Sequence, residues 1–272
     1  MHKCQLIVFL FLLSFKSEFL MAEEWALVWS DEFTASSTPD RKKWNYEVGY
    51  LRNSEKQFYT SADKKNSRVE GGFLIIEAHK RESSWYAFFF DSFTQPEYTS
   101  SSLTTKGIIS WRYPRIEVRA KLPQGVGVWP AIWLLGLDPY KKGWPAKGEI
   151  DLMEYVGFDE KHIHFAVHTK NKNHTLKNGV NHSLLVRNLL NKFHTYAVEV
   201  KPERIDFWFD GALKFSYLKE SDAYEAWPFD TPMYLIINLA IGGGWGGKKG
   251  IDNKIFPQKF VIDYVRVYQK ME

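Results

Sequence analysis

From residue 23 onward the chain alternates. Short runs of β-branched and aromatic residues are cut by Gly, Pro, Asn and Asp, and helical periodicity is nearly absent. In "RIEVRAKL" (115–122), Ile116, Val118, Ala120 and Leu122 share one face while Arg115, Glu117, Arg119 and Lys121 share the other. The runs "GFLIIEAHK", "IHFAVHTK", "FHTYAVEVK", "RIDFWFDG", "MYLIINLAI" and "FVIDYVRVYQ" also read as strands, and the Asp-Gly inside "FDGALKF" predicts a hairpin turn. The pattern predicts an all-β chain in which two antiparallel sheets pack face to face, a β-sandwich with one broad face to spare for an elongated ligand. No linker, repeat or low-complexity tract interrupts it, so residues 23–272 read as one domain.

Composition adds two things to this picture. Aromatic residues make up 17% of the chain, including 11 Trp, more than a core alone calls for, so some rings are candidate binding platforms. The net charge of +4 is spread along the chain, with no basic arm or polybasic patch, so it says little about partners, and no nucleic-acid partner is expected. The first 22 residues stand apart: a short basic start, an apolar run over 4–15 and a small Ala22 read as a signal peptide, too short to span a bilayer. The competing reading is an amphipathic or buried N-terminal helix. With the leader removed the only cysteine, Cys4, goes too, so the expectation is a secreted, monomeric protein without disulfides or membrane attachment. Asn173 and Asn181 open glycosylation sequons, relevant only in a eukaryotic secretory pathway.

The informative stretch is "GEIDLMEYVG" (148–157), which sets three carboxylates in an otherwise apolar run. Carboxylates are seldom buried unless something pairs with them or uses them. Glu149 and Asp151, two apart, project from one face of a strand; Glu154, five from Glu149, projects from the other. One extra residue near Leu152 and Met153, a β-bulge, brings Glu154 back. The two glutamates then stand roughly 5–5.5 Å apart, the separation of a retaining glycosidase. In that chemistry Glu149 attacks the anomeric carbon, and Glu154 protonates the leaving oxygen and later deprotonates water. Asp151, a like charge between them, keeps Glu154 protonated. A solvated acidic face and a divalent-metal cluster are the alternatives at this point. His162, His164 and His168 share a strand face as well, so a zinc site is a further alternative.

This stretch resembles the bulged signature of glycoside hydrolase family 16, in the form found in laminarinases (endo-1,3-β-glucanases). "WSDEF", "NSEKQFYT", "YTSSSLTTKG", "PRIEVRAKLPQGVGVWPAIWLLG", "FHTYAVEV", "FDG", "LIINLAIGGGW" and "DYVRVYQ" follow in the family's order over nearly the whole mature chain. The resemblance implies a concanavalin-like jelly-roll sandwich whose concave sheet forms a polysaccharide cleft. It implies Glu149 as nucleophile, Glu154 as acid/base and Asp151 as modulator. Asn53, Trp129, Trp133, His168 and Trp245 would be substrate-binding residues; core packing is the competing role for the tryptophans. It implies no cofactor for catalysis, and a structural calcium held by the Asp263 side chain with backbone oxygens of Glu32 and Gly72.

Two departures matter. Laminarinase-like members carry an Arg that reaches a sugar where this chain has Ser102, and commonly a Gly where it has Phe165, a bulk that would reshape the cleft. The implied function is a secreted endo-β-1,3-glucanase acting on β-1,3- or mixed-linkage glucans through a covalent glycosyl-enzyme, with transglycosylation as a side activity. An algal galactan hydrolase (agar or carrageenan) on the same scaffold is the alternative within the enzyme class, and a non-catalytic β-glucan-binding protein the alternative outside it.

Overall fold

Alternation along each strand is what builds this molecule. A computed structural model describes residues 25–34, 37–82 and 95–271. The leader expected over 1–22 lies outside the described residues. Among those residues, no helix is long and apolar enough to cross a membrane.

The strands are β1 (Trp25–Asp31), β2 (Asn45–Glu47), β3 (Gln57–Tyr59), β4 (Ser67–Glu70), β5 (Phe73–Lys80), β6 (Tyr98–Ser100), β7 (Ser102–Thr104), β8 (Arg115–Lys121) and β9 (Val128–Gly136). They continue with β10 (Glu149–Glu154), β11 (His162–His168), β12 (Val180–Leu185), β13 (His194–Val200), β14 (Arg204–Phe209), β15 (Ala212–Leu218), β16 (Met233–Ile241) and β17 (Gln258–Lys270). One sheet runs β15-β14-β13-β8-β17-β5-β6-β3, with β1 on β17 and β4 on β5; the other runs β12-β11-β10-β9-β16-β7-β2. Pairing is antiparallel except for the short β3–β6 ladder, which is parallel.

The faces divide as alternation requires. In β8, Ile116, Val118 and Ala120 are fully buried between the sheets while the charged residues between them reach the outer face. The hairpin of β14 and β15 turns at Asp210 and Gly211, both with positive φ (48° and 75°), the conformation an Asp-Gly pair tolerates. In the seven-stranded sheet, β9 and β16 are buried on both faces, and this sets the site apart. One face meets the intersheet core through Ile132, Leu134, Leu235, Ile237 and Leu239. The other carries Ala131, Trp133, Leu135, Tyr234 and Ile236 as a second apolar cluster on the outer side.

Phe165 corrects one expectation. It is fully buried on the inner face of β11, stacked on Phe207 at 5.3 Å, with its cross-strand neighbour His182 at 6.2 Å. It fills the core between the sheets and does not touch the cleft.

Candidate active site

Two glycines bracket the acidic strand, and both are required. Gly148 has φ +78°, and a Cβ there would stand 2.7 Å from Pro228. A Cβ on Gly157 would stand 1.8 Å from the Gly125 carbonyl, so only glycine lets the strand leave the sheet where it does. Between them β10 pairs in register with β11 through Glu149↔His168, Ile150↔Val167 and Asp151↔Ala166, then resumes at Glu154↔His164. Against β9 the register passes from Asp151↔Trp133 to Met153↔Ile132. The slip leaves one extra residue between Asp151 and Met153, the bulge that the spacing requires. Leu152 and Met153 both turn into the core, and Glu149, Asp151 and Glu154 all face outward.

The three acids line a cavity of about 350 Å³ with Arg52, Trp133, Trp144 and Asn238. A second cavity of about 610 Å³, lined by His168, Asn181 and Trp245, shares Asn53, Trp129, Glu149, Glu154 and His174 with the first. The two are halves of one groove with the glutamates at their junction, so a chain lying in it runs on past the acids in both directions.

The two glutamates have different neighbours. Trp129 Nε1 donates to Glu154 Oε1 at 3.0 Å. Trp144 Nε1 donates to Glu149 Oε2 at 3.1 Å, and His168 Nε2 lies 3.7 Å from Glu149 and 3.4 Å from Asp151. Burial pushes the Glu149 carboxyl up to about 8, helped by the charge of Asp151 and opposed by His168 and Trp144. Burial also raises Asp151 to about 8. Glu154 is held well above the carboxylate range by burial and then by Asp151, with Trp129 opposing. Three carboxyls this close titrate as a unit and cannot all be charged at neutral pH.

The other expected binding residues fall around this centre. Trp129 is edge-on to Trp245 at 5.7 Å, and Trp245 is edge-on to His164 at 4.8 Å. Trp133 Nε1 donates to Asn238 Oδ1 at 2.8 Å, Asn238 Nδ2 to Tyr59 at 3.0 Å, and Tyr59 to Glu55 at 3.2 Å. Asn53 Nδ2 donates to Glu55 at 3.2 Å, so the network ties the Asn53 loop to the floor under Trp133. Glu55 is itself raised, chiefly by burial.

The histidines do not form a zinc site. His162 pairs with Asp159 at 2.7 Å and His164 packs on Trp245, so the three are drawn to separate partners. Among the described residues the one cluster with metal-ligand proximity is Glu149, Asp151 and His168, within 4.8 Å of one another. The residues expected to hold calcium neighbour one another on the other sheet. The pairs Asp31↔Val265 and Ile262↔Leu74 bring the end of β1, before Glu32, and the turn at Gly72 alongside Asp263. There Arg119 is ion-paired to the Asp263 carboxylate, and the Glu32 side chain is turned to Arg266 by two bonds of 2.9 Å.

Sequence reasoning missed Arg52, Trp144 and His174. Trp144 lies just before the acidic strand, in "GWP", and that proximity was a usable signal. His174 sits in a short 3₁₀ turn, 5.1 Å from Trp144 and 5.2 Å from His168, and nothing local announces it. The same turn accounts for Asn173: its side chain bonds Thr169 and Lys170 carbonyls and caps Thr175 and Leu176, so it is buried and committed. Asn181 is exposed on β12.

The glycosyl hydrolases family 16 model matches residues 54–266. A β-glucanase of Rhodothermus marinus is 45% identical over 261 residues, covering 92% of this chain and 87% of that protein. The crystal structure of the laminarinase from Rhodothermus marinus superposes with a TM-score of 0.84 at 45% identity, covering 92% of this chain and 99% of that one. A non-specific endo-β-1,3(4)-glucanase superposes with a TM-score of 0.83 at 40% identity, covering 92% and 93% of the two chains. The match spans both sheets and the bulged acidic strand alike: this chain belongs to family 16 of the glycosyl hydrolases.

Proposed function

We propose that this protein is a retaining endo-β-1,3-glucanase, with Glu149 as nucleophile, Glu154 as acid/base and Asp151 as the modulator between them. The observation that carries the reading is the bulge, because it sets both glutamates in one groove with different hydrogen-bond partners. In the first step Glu149 forms a bond to the anomeric carbon as the glycosidic C–O bond breaks, and Glu154 gives its proton to the leaving oxygen. In the second, Glu154 takes a proton from water, whose oxygen replaces Glu149 at the same carbon. His168 and Trp144 hold Glu149 in place and favour its charged form. Trp129 orients Glu154. Trp245 offers an apolar face in one half of the groove, Trp133 a buried apolar floor in the other, and Asn53 a hydroxyl partner where the halves meet. The continuity of the groove past the glutamates supports cleavage within a polymer.

No step calls for a metal or cofactor. On the ten-stranded sheet the expected ligands, the Asp263 carboxylate and the backbone oxygens of Glu32 and Gly72, would offer oxygen alone, a set that suits a hard cation such as Ca²⁺, and the site would serve stability alone. The leader over 1–22 makes the enzyme secreted, and it acts as a monomer.

Reducing-sugar release from laminarin, lichenan, agarose and carrageenan by wild type and by Glu149→Ser tests the reading. Release is expected from laminarin, more weakly from lichenan, and not from the galactans. Glu149→Ser should lose at least a thousandfold in kcat. Release from a galactan alone would transfer the mechanism to that polymer, and equal rates for the variant would remove Glu149 from its role.

A further inference from the structure

Arg52 has no part in the chemistry above, yet it lines the same cavity as the three acids. Its loop is held firmly. Gly49 and Tyr59 exchange backbone bonds of 3.0 and 3.1 Å, Glu55 N donates to Arg52 O at 3.1 Å, and Gly244 N to Asn53 O at 2.8 Å. Asn53 and Ser54 both adopt positive φ, 53° and 54°, which turns the chain sharply after Arg52.

The side chain is fixed as firmly as the loop. Both terminal nitrogens of the guanidinium bond the two oxygens of Glu47 in a fork. Ser102 Oγ donates to Glu47 Oε2 at 2.7 Å from the neighbouring strand, so the carboxylate is itself oriented. The guanidinium lies over the Trp133 ring at 4.8 Å. Glu47 stays ionised against its burial, chiefly through the Arg52 bond and charge, so the pair is fully charged. Glu47 takes two of five N–H donors, and no other described residue accepts from the rest. A rigid fork with donors left over, laid on an aromatic floor at the edge of a groove, is built to meet a neutral ligand rich in hydroxyls.

We propose that Arg52 is a specificity-determining residue of this chain, binding hydroxyl groups of the glycosyl unit that lies beside Trp133 against the guanidinium, one or more units from the bond being cut. This rests on the glucanase reading. Ser102 then supports Arg52 in two ways, being small enough to leave it the space and polar enough to orient Glu47. The guanidinium enters the groove from the loop after β2, not from strand β7.

The test is steady-state kinetics of Arg52→Ala and Arg52→Lys on a graded series of β-1,3-gluco-oligosaccharides, end-labelled so that the cut bond is known. For substrates long enough to cover Trp133, Arg52→Ala should raise KM about tenfold or more with kcat within twofold. Lysine should not restore it, because a point charge cannot hold Glu47 and a sugar together. For substrates one unit too short to reach Trp133, variant and wild type should coincide; a merely structural defect would affect both lengths alike. The double variant Arg52→Gly with Ser102→Arg, which returns a guanidinium from β7, should recover part of the lost affinity. An unchanged KM for Arg52→Ala on long substrates overturns the proposal, as does an equal loss at every length. Thermal unfolding of each variant separates misfolding from lost contact. Wild-type inactivity on all glucans would instead overturn the glucanase reading.

Discussion

Asp151 is the residue whose cost to the fold can be measured apart from its role in the site. Its carboxyl is buried and raised from 3.8 to about 8, so the folded protein keeps a proton there that the unfolded chain releases. Where the folded state binds more protons, stability falls as pH rises. The loss therefore accumulates between about pH 4 and pH 8, the window of that shift. Asn at 151 has the same shape and no proton to release. Asp151→Asn should melt higher than wild type at pH 8, by a larger margin than at pH 5, while kcat falls because an amide cannot take up or release the proton that the three carboxyls share. The pH slope should flatten without vanishing, since Glu149 and Glu154 are raised as well. Identical slopes for variant and wild type would show that Asp151 is charged in the fold throughout.

At the scale of the element, β10 and β11 show what a sequence does and does not disclose. Strand parity is local, and it was enough to demand a bulge between Asp151 and Glu154, because no regular strand puts both on one face. The same parity decides Phe165. His164 and His168 face the groove, so Phe165 between them must face the core, and it does. Comparing it with a glycine in other chains suggested a cleft residue, and its own neighbours overrule that. Phe165→Ala should therefore cost about 3–5 kcal/mol of stability, as expected for an aromatic-sized core cavity. KM for the polysaccharide should stay within about twofold of wild type. Denaturant unfolding with parallel kinetics checks both, and a large KM change at unchanged stability would put the ring back at the cleft. Arg52 and His174 were not legible for the opposite reason. Their roles depend on partners, Trp133 and Trp144, that lie 81 and 30 residues away along the sequence, and no local period records such meetings.

Across the whole molecule the groove belongs to one sheet and a candidate cation site to the other, so chemistry and stability can be separated. Alternation predicted strands and faces, but not which strand joins which sheet, because sheet order is set by long-range pairing. That order puts β17 at the centre of the ten-stranded sheet, paired with β1, β5 and β8 at once. Asp263 sits where its register against β8 slips, between Ile262 and Tyr264, with the carboxylate held by Arg119. A cation there would tie three strands across the side of the sandwich away from the groove. It must displace a guanidinium that already neutralises the only side-chain ligand. Millimolar Ca²⁺ should thus raise the melting temperature by a few degrees relative to chelator, through preferential binding to the folded state, and leave kcat unchanged. Asp263→Asn should abolish the rise. Arg119→Ala should enlarge it, because the competing cation is gone and the carboxylate is free to bind. If calorimetry finds no calcium-dependent shift in wild type but a clear one in Arg119→Ala, the ion pair has replaced the metal in this chain. A shift in neither would show that three converging strands do not make a calcium site.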